Sequence, residues 1–253
     1  MARFLRPFLL EREGQAMTLH RRFLIPLDGS GNDEAVLFEA RRMAPPGAEL
    51  YLLHVVPSVT PPVGMEPTRL FALHEKALEY LEALRPTLPG FGGGEIVRAG
   101  DPAEEILKVA LELNIDLIAM CTHARRGLPR WIFGSVAEVV VRKSWLPVLL
   151  TKPGSPSPRQ QVRLILVALD GSEQAQAILE SVQPLAQRTG AELLLLNVRP
   201  RISDPAPQWA YPGSLSILED PRHRLEEIAD NLEKSGVATQ VVLSEGDAAR
   251  EIL

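Results

Sequence analysis

FLIPLDGS at Phe23–Ser30 decides the fold, because it opens a block that the chain repeats. AELYLLHVVP at Ala48–Pro57 and AGDPAEEIL at Ala99–Leu107 follow it. All three return in the same order, as LVALDGS at Leu166–Ser172, AELLLLNVRP at Ala191–Pro200 and SEGDAAREIL at Ser244–Leu253. The offset is 142 residues at Asp28/Asp170 and 146 at Gly100/Gly246, a drift that short loop insertions explain. A repeat of this length has the size of a domain and is far longer than one solenoid turn. The chain therefore reads as a tandem, and the repeated unit carries its function.

Within the first copy, Phe23–Leu27 is a continuous apolar run, the pattern of a strand buried on both faces. Asp28-Gly29-Ser30 turns the chain, and Asn32 or Asp33 is placed to cap a helix with an apolar stripe of Val36, Leu37, Ala40 and Met43. Pro45-Pro46-Gly47 ends it. A second strand at Glu49–Val56 leads into a proline-rich loop, Pro57–Pro67, longer than an ordinary connection. A helix with Leu70, Leu73, Ala77, Leu81 and Leu84 follows, then a glycine-rich turn at Gly90–Gly94 and a third strand at Glu95–Ala99. Asp101, Pro102 and Glu104 form a strong helix start. That helix runs to Leu113 and is followed by a strand at Asp116–Cys121, a loop, a helix at about Ser135–Lys143 and a strand at Pro147–Thr151.

Five alternations of strand and helix predict an open, mainly parallel α/β sheet with flanking helices. The boundaries read as an N-terminal extension at 1–20, a first domain at 21–152, a Pro/Gly/Ser-rich linker at 153–161 and a partial second domain at 162–253. The second copy's likeness reaches Glu251-Ile252-Leu253, matching Glu105-Ile106-Leu107, and the later elements of the unit have no counterpart in it. Arg6–Gly14, RPFLLEREG, aligns with Leu146–Gly154, LPVLLTKPG. Residues 6–12 thus read either as an extra fifth-strand-like segment or as a disordered leader before Met17.

Composition narrows the function. A net charge of −5 favours neither nucleic acid nor an anionic membrane as partner. The longest apolar runs, near Leu164–Leu169 and Leu193–Leu196, fall far short of the roughly 20 residues that span a bilayer. A single cysteine excludes an internal disulfide framework and fits a cytoplasmic location, and no His or Cys spacing points to a metal. The N-terminus lacks the pattern of an export signal.

In a doubly wound sheet the ligand sits beyond the carboxyl ends of the strands, where the strand order reverses. The candidate loops follow Asp28 and Met120, the latter reading MCTHARRGLPRWIFGSVAEVV. IPLDGS from Ile25, LLHVV at Leu52–Val56 and Gly134-Ser135-Val136-Ala137-Glu138 resemble the universal stress protein family, over the whole of Phe23–Lys152 and in part over Val162–Leu253. The resemblance implies tandem five-stranded-type sheets of the adenine nucleotide alpha hydrolase-like kind, the second copy truncated. It also implies an adenine and ribose site at Leu27, Asp28, Val55 and Met120. The family's phosphate loop, Gly-x-x-Gly, nine residues, then Gly-Ser/Thr, falls on Cys121, His123, Ala124, Gly134, Ser135 and Val136. Glycines there let backbone amides approach phosphate oxygens. Cys121 and Ala124 stand where two of them belong, and a β-carbon at either place would crowd a phosphate or restrict the backbone.

Arg125, Arg126 and Arg130 offer substitute phosphate contacts or else form a solvated loop face. Asp28 either contacts the ligand or only caps its turn; Asp170 and Val198 are its second-copy counterparts and those of Val55. Ser135 reads as a helix N-cap or a phosphate ligand, Cys121 as a small buried residue, His54 as packed, and Trp131 and Phe133 as packing residues. No activating base stands out. The expectation is a non-enzymatic stress-response protein that binds ATP, with magnesium when bound, and associates as a homodimer or larger through an apolar edge strand at Pro147–Thr151. The alternatives are a degenerate-pocket dimerisation module and an adenylating enzyme, though the lysine-bearing P-loop or His-rich turn of the last is missing.

Overall fold

The computed structural model describes residues 21–30, 33–56, 67–122, 134–152, 161–200 and 220–252. They fall into two compact units that divide between Gln160 and Gln161. The expected segment at 6–12, Asn32, Leu70's side chain, the loop from His123 to Phe133 and the linker at 153–160 lie outside the described residues.

The first unit runs β1 (Arg22–Pro26), α1 (Asp33–Met43), β2 (Glu49–Val56), α2 (Pro67–Leu84), β3 (Glu95–Ala99), α3 (Pro102–Glu112), β4 (Leu117–Cys121), α4 (Ser135–Lys143) and β5 (Val148–Thr151). Its sheet has the order β3-β2-β1-β4-β5, with every pairing parallel. Phe23, Leu24 and Ile25 of β1 are all buried because strands flank β1 on both sides and helices cover both faces. Alternation along the strands sends Phe23, Ile25, Leu50, Leu52, Leu117, Ala119 and Cys121 into one core layer with Val36, Leu37 and Ala40 of α1 and Leu81 of α2. Leu24, Leu53, Ile118 and Met120 go to the opposite layer, against Ile106 and Val109 of α3 and Ala137 and Val140 of α4.

Several details differ from the reading of the sequence. Asp116 precedes β4 instead of opening it, because its carboxylate accepts the amides of Arg21 and Arg22, both at 3.0 Å, at the start of β1. Leu73 is 39% exposed, off the expected stripe. Helix α2, at 18 residues, is about 27 Å long, and its neighbour β3, at 5 residues, only about 17 Å, so the early turns find less sheet to cover. The glycine-rich stretch does more than turn: Gly92 and Gly94 accept from the amides of Leu50 and Leu52 at 2.9 Å each. A β-carbon on Gly93, whose φ is +103°, would stand 2.3 Å from the Leu50 carbonyl oxygen. Asp101 caps α3 as expected, accepting from the Glu104 amide at 3.0 Å, with Pro102 in the first turn.

The second unit runs β6 (Leu164–Ala168), α5 (Glu173–Gln176), α6 (Leu179–Thr189), β7 (Glu192–Arg199), α7 (Pro221–Lys234), β8 (Thr239–Glu245) and α8 (Ala248–Ile252), with a parallel sheet of order β6-β7-β8. It repeats the bonds at the end of the first strand. The Leu27 amide donates to the Leu53 carbonyl at 2.8 Å, and Leu169 to Leu196 at 2.8 Å. Ser30 donates to Asp28 Oδ1 at 2.9 Å, and Ser172 to Asp170 Oδ1 at 2.9 Å. Its first helical segment is split into α5 and α6, and α6 carries Pro184 inside it. Among the described residues β6 pairs with β7 alone, and its burial changes accordingly: Leu166, the counterpart of the fully buried Leu24, is 39% exposed and Leu164 is 52% exposed.

That difference has a measurable consequence. Leu24→Ala is expected to destabilise the first unit by about 2–5 kcal/mol, and Leu166→Ala, at the same place in the repeat, the second by less than about 1 kcal/mol. Urea unfolding combined with amide exchange resolved to each unit would measure both.

Candidate functional site

Strand order in the first unit reverses at β1/β4, and the helices that follow these two strands, α1 and α4, pack in opposite layers. A cleft of about 490 Å3 opens there, within the range of small-molecule sites. Pro26, Leu27 and Asp28 supply the end of β1, Leu53, His54 and Val55 that of β2, and Met120 and Cys121 that of β4. Pro102 and Ile106 of α3 and Gly134, Ser135, Val136 and Ala137 at the head of α4 complete it. Eight residues singled out from the sequence, Leu27, Asp28, Val55, Met120, Cys121, Gly134, Ser135 and Val136, thus line one cavity. His123, Ala124, Arg125, Arg126 and Arg130 lie outside the described residues. Pro26, Leu53, Pro102, Ile106 and Ala137 were not anticipated. They are ordinary core-type residues, and only the packing of α3 and α4 on this face turns them toward the cavity.

Two helices begin at the cleft, and they differ electrostatically. The amino end of α3 is occupied: Asp101 caps it, Glu104 and Glu105 lie in its first turn, and Pro102 has no N–H. The cap of α4 is Gly134, with φ −61° and ψ 151°, and Glu138 is the one acidic residue in its first turn. Ser135 is therefore the first helical residue and not the N-cap, a correction to the sequence reading; its side chain is exposed at the cleft. The amides at the start of α4 have no intrahelical acceptor and carry the positive end of the helix dipole, so an anion is favoured there over α3.

Cys121 is buried, as the sequence suggested. Its side chain is buried in the α1/α2 core layer, whereas α3 and α4, on the other layer, wall the cleft. Cys121 is nonetheless a lining residue of the cleft, and its φ is not positive. Alternation turns His54 the same way: its ring meets Tyr80 edge-on at 6.0 Å between centroids, and its Nδ1 is buried without a hydrogen-bond partner. Histidine here is packed, as the sequence suggested.

In the second unit Asn197 occupies the place of His54 and donates from Nδ2 to the Leu169 carbonyl at 2.7 Å, tying β7 to the end of β6. Asp170 and Val198 sit at the carboxyl ends of β6 and β7, but among the described residues no helix corresponding to α4 faces them. No group of three or more His, Cys, Asp or Glu residues able to hold a metal occurs among the described residues, and none of the described helices is long and apolar enough to cross a membrane.

Fold and cleft together define a tandem of parallel α/β units, the first of them doubly wound. The model of the universal stress protein family matches the chain twice, over residues 20–152 and 161–253, and the chain belongs to that family. A universal stress protein of Methanocaldococcus jannaschii is 33% identical over 143 residues, covering 53% of this chain and 83% of that protein. A second from the same archaeon is 38% identical over 82 residues, covering 32% of this chain and 51% of that protein, so the chain spans about half of its length. Among solved structures, a universal stress protein from Archaeoglobus fulgidus DSM 4304 aligns with 93% of this chain and 82% of its own at a TM-score of 0.71 and 24% identity, a likeness of fold.

Asp170 shows how the Asp-Gly-Ser turn acts on its carboxylate. Hydrogen bonds from the side chain and then the backbone of Ser172 hold its pKa below the ordinary aspartate value. A carboxylate with a lowered folded pKa contributes stability that is present above the unfolded value, about 3.9, and is lost as pH falls through the folded one. NMR titration should place the Asp170 midpoint below that of an unstructured aspartate, and Ser172→Ala should raise it.

Proposed function

We propose that the first unit binds an adenine nucleotide in the cleft at the β1/β4 switch point and that the protein acts through ligand-dependent association, without catalysis. The observation that carries this reading is the pairing of an apolar slot with two polar ends: Leu53, Val55, Ile106 and Met120 along the walls, Asp28 at one strand end, and the glycine-capped start of α4. Apolar walls suit a planar base, the carboxylate can accept from ribose hydroxyls or an exocyclic amine, and the α4 amides suit phosphate. Family membership supports the same ligand class. Asp28 is the one carboxylate among the described lining residues, and its Oδ1 already accepts from the Ser30 amide. A general base for hydrolysis is thus poorly provided, and turnover of ATP is expected to be slow or nil.

A degenerate, ligand-free pocket is the competing reading, motivated by Cys121 and Ala124 in place of two family glycines. The place of the Cys121 side chain in the opposite core layer speaks against crowding by that residue, and Ala124 lies outside the described residues. The half-buried apolar strand β5, with Val148, Leu149 and Leu150 at the sheet edge, favours association under either reading. A homodimer in a reducing cytoplasm fits the single cysteine and this edge.

Millimolar ATP with magnesium is expected to raise the melting temperature by several degrees. Asp28→Ala should weaken binding roughly tenfold or more, the loss of a charge-assisted bond. Cys121→Gly should give no gain in affinity. Absence of any thermal shift with ATP would overturn the nucleotide reading, and a gain with Cys121→Gly would restore the degenerate one. Light scattering with and without nucleotide is expected to show association that depends on the ligand; a monomer under both conditions would refute that part.

A further inference from the structure

We propose that Thr122 is a positioning residue for the cleft, setting the main chain at the end of β4 by bonding it to β5; this rests on the nucleotide reading above. Thr122 directly follows Cys121, which lines the cleft, and is 5% exposed. Its amide donates to the Thr151 carbonyl at 2.8 Å, and its Oγ1 donates to the same carbonyl at 3.0 Å. The amide bond merely extends the β4/β5 ladder by one residue. The hydroxyl bond is additional, and it holds the Thr122 side chain to β5 at the last rung of the ladder.

Met120 and Cys121 form the cleft's wall on the β4 side, and the amides of α4 stand at Gly134–Ala137. A ligand that touches both needs the spacing between them held to a few tenths of an ångström, because hydrogen bonds weaken steeply off geometry. Thr122 is the buried side chain that ties this wall sideways to the next strand.

Thr151 supplies an internal control. Its main-chain oxygen is the acceptor, while its own Oγ1 is buried with no hydrogen-bond partner. Replacing Thr122 by valine removes the bond at nearly constant volume. Replacing Thr151 by valine removes a hydroxyl from the same cross-strand pair but leaves the bond intact.

The experiment titrates Mg·ATP by calorimetry against the wild-type chain, Thr122→Val, Thr122→Ser and Thr151→Val, and follows amide exchange at Cys121 and Thr122 without nucleotide. The expected result is about fivefold weaker binding for Thr122→Val, from one lost hydrogen bond. Thr122→Ser should return to within about twofold of wild type, Thr151→Val should match it, and exchange should be faster only in Thr122→Val. If wild type binds and Thr122→Val binds equally well, or if Thr151→Val weakens binding as much, the inference is overturned. If wild type binds no nucleotide, the proposed function falls, and exchange alone decides: faster exchange in Thr122→Val upholds the positioning role, and unchanged exchange refutes it.

Discussion

The first unit depends on the enclosure of β1. This strand is paired with β2 on one edge and β4 on the other, and Phe23, Leu24 and Ile25 are each no more than 1% exposed. A strand enclosed on both faces has no solvent side for polar residues, which is why RFLIP reads as a run and not as an alternation. The same placement makes the cleft. With β2 on one side and β4 on the other, the helices that follow β1 and β4 lie in opposite layers, and the cleft opens at the carboxyl ends of these two strands.

The second copy shows what enclosure contributes, because its first strand keeps the same residue types in a different setting. Among the described residues β6 has one neighbour, and α8 is a helix of 5 residues on the side that α3 and α4 cover in the first unit. Leu164, Leu166 and Val242 are exposed there, while Val167 and Leu169, which point to the layer of α6 and α7, stay buried. One face of the sheet is therefore built as in the first unit, and the other is only partly covered by the described residues. Local bonds such as the Asp170–Ser172 turn survive unchanged, so the turn after strand one is specified by its own residues and not by the completeness of the sheet.

Much of this was legible in the sequence, because apolar runs, turn residues and caps act locally. Strand bounds shifted by a residue where a side chain took over a backbone role, as Asp116 does at the start of β1. The candidate residues Leu27, Asp28, Val55, Met120, Gly134 and Val136 could be named because the family pattern marks strand ends and helix starts. Two features could not be read from one dimension. Whether Cys121 intrudes on the cleft depends on which layer carries α3 and α4, a matter of packing between elements. Whether Ser135 or Gly134 caps α4 depends on the residue at which the backbone turns helical, and a serine beside a glycine leaves that open.

The contrast between the amino ends of α3 and α4 bears on ligand orientation. Both helices start at the same cavity, yet α3 brings Asp101, Glu104 and Glu105 to its first turn and a proline without an N–H, while α4 brings a glycine cap and unpaired amides. A phosphate near α3 would meet carboxylates; near α4 it would meet N–H donors and the positive end of a dipole. For the nucleotide proposed above, the apolar walls from Leu53, Val55, Ile106 and Met120 would then leave the base the end of the slot away from α4, toward β2 and α3. Such an orientation would follow from how two helices are capped, and it would require no basic side chain among the described lining residues.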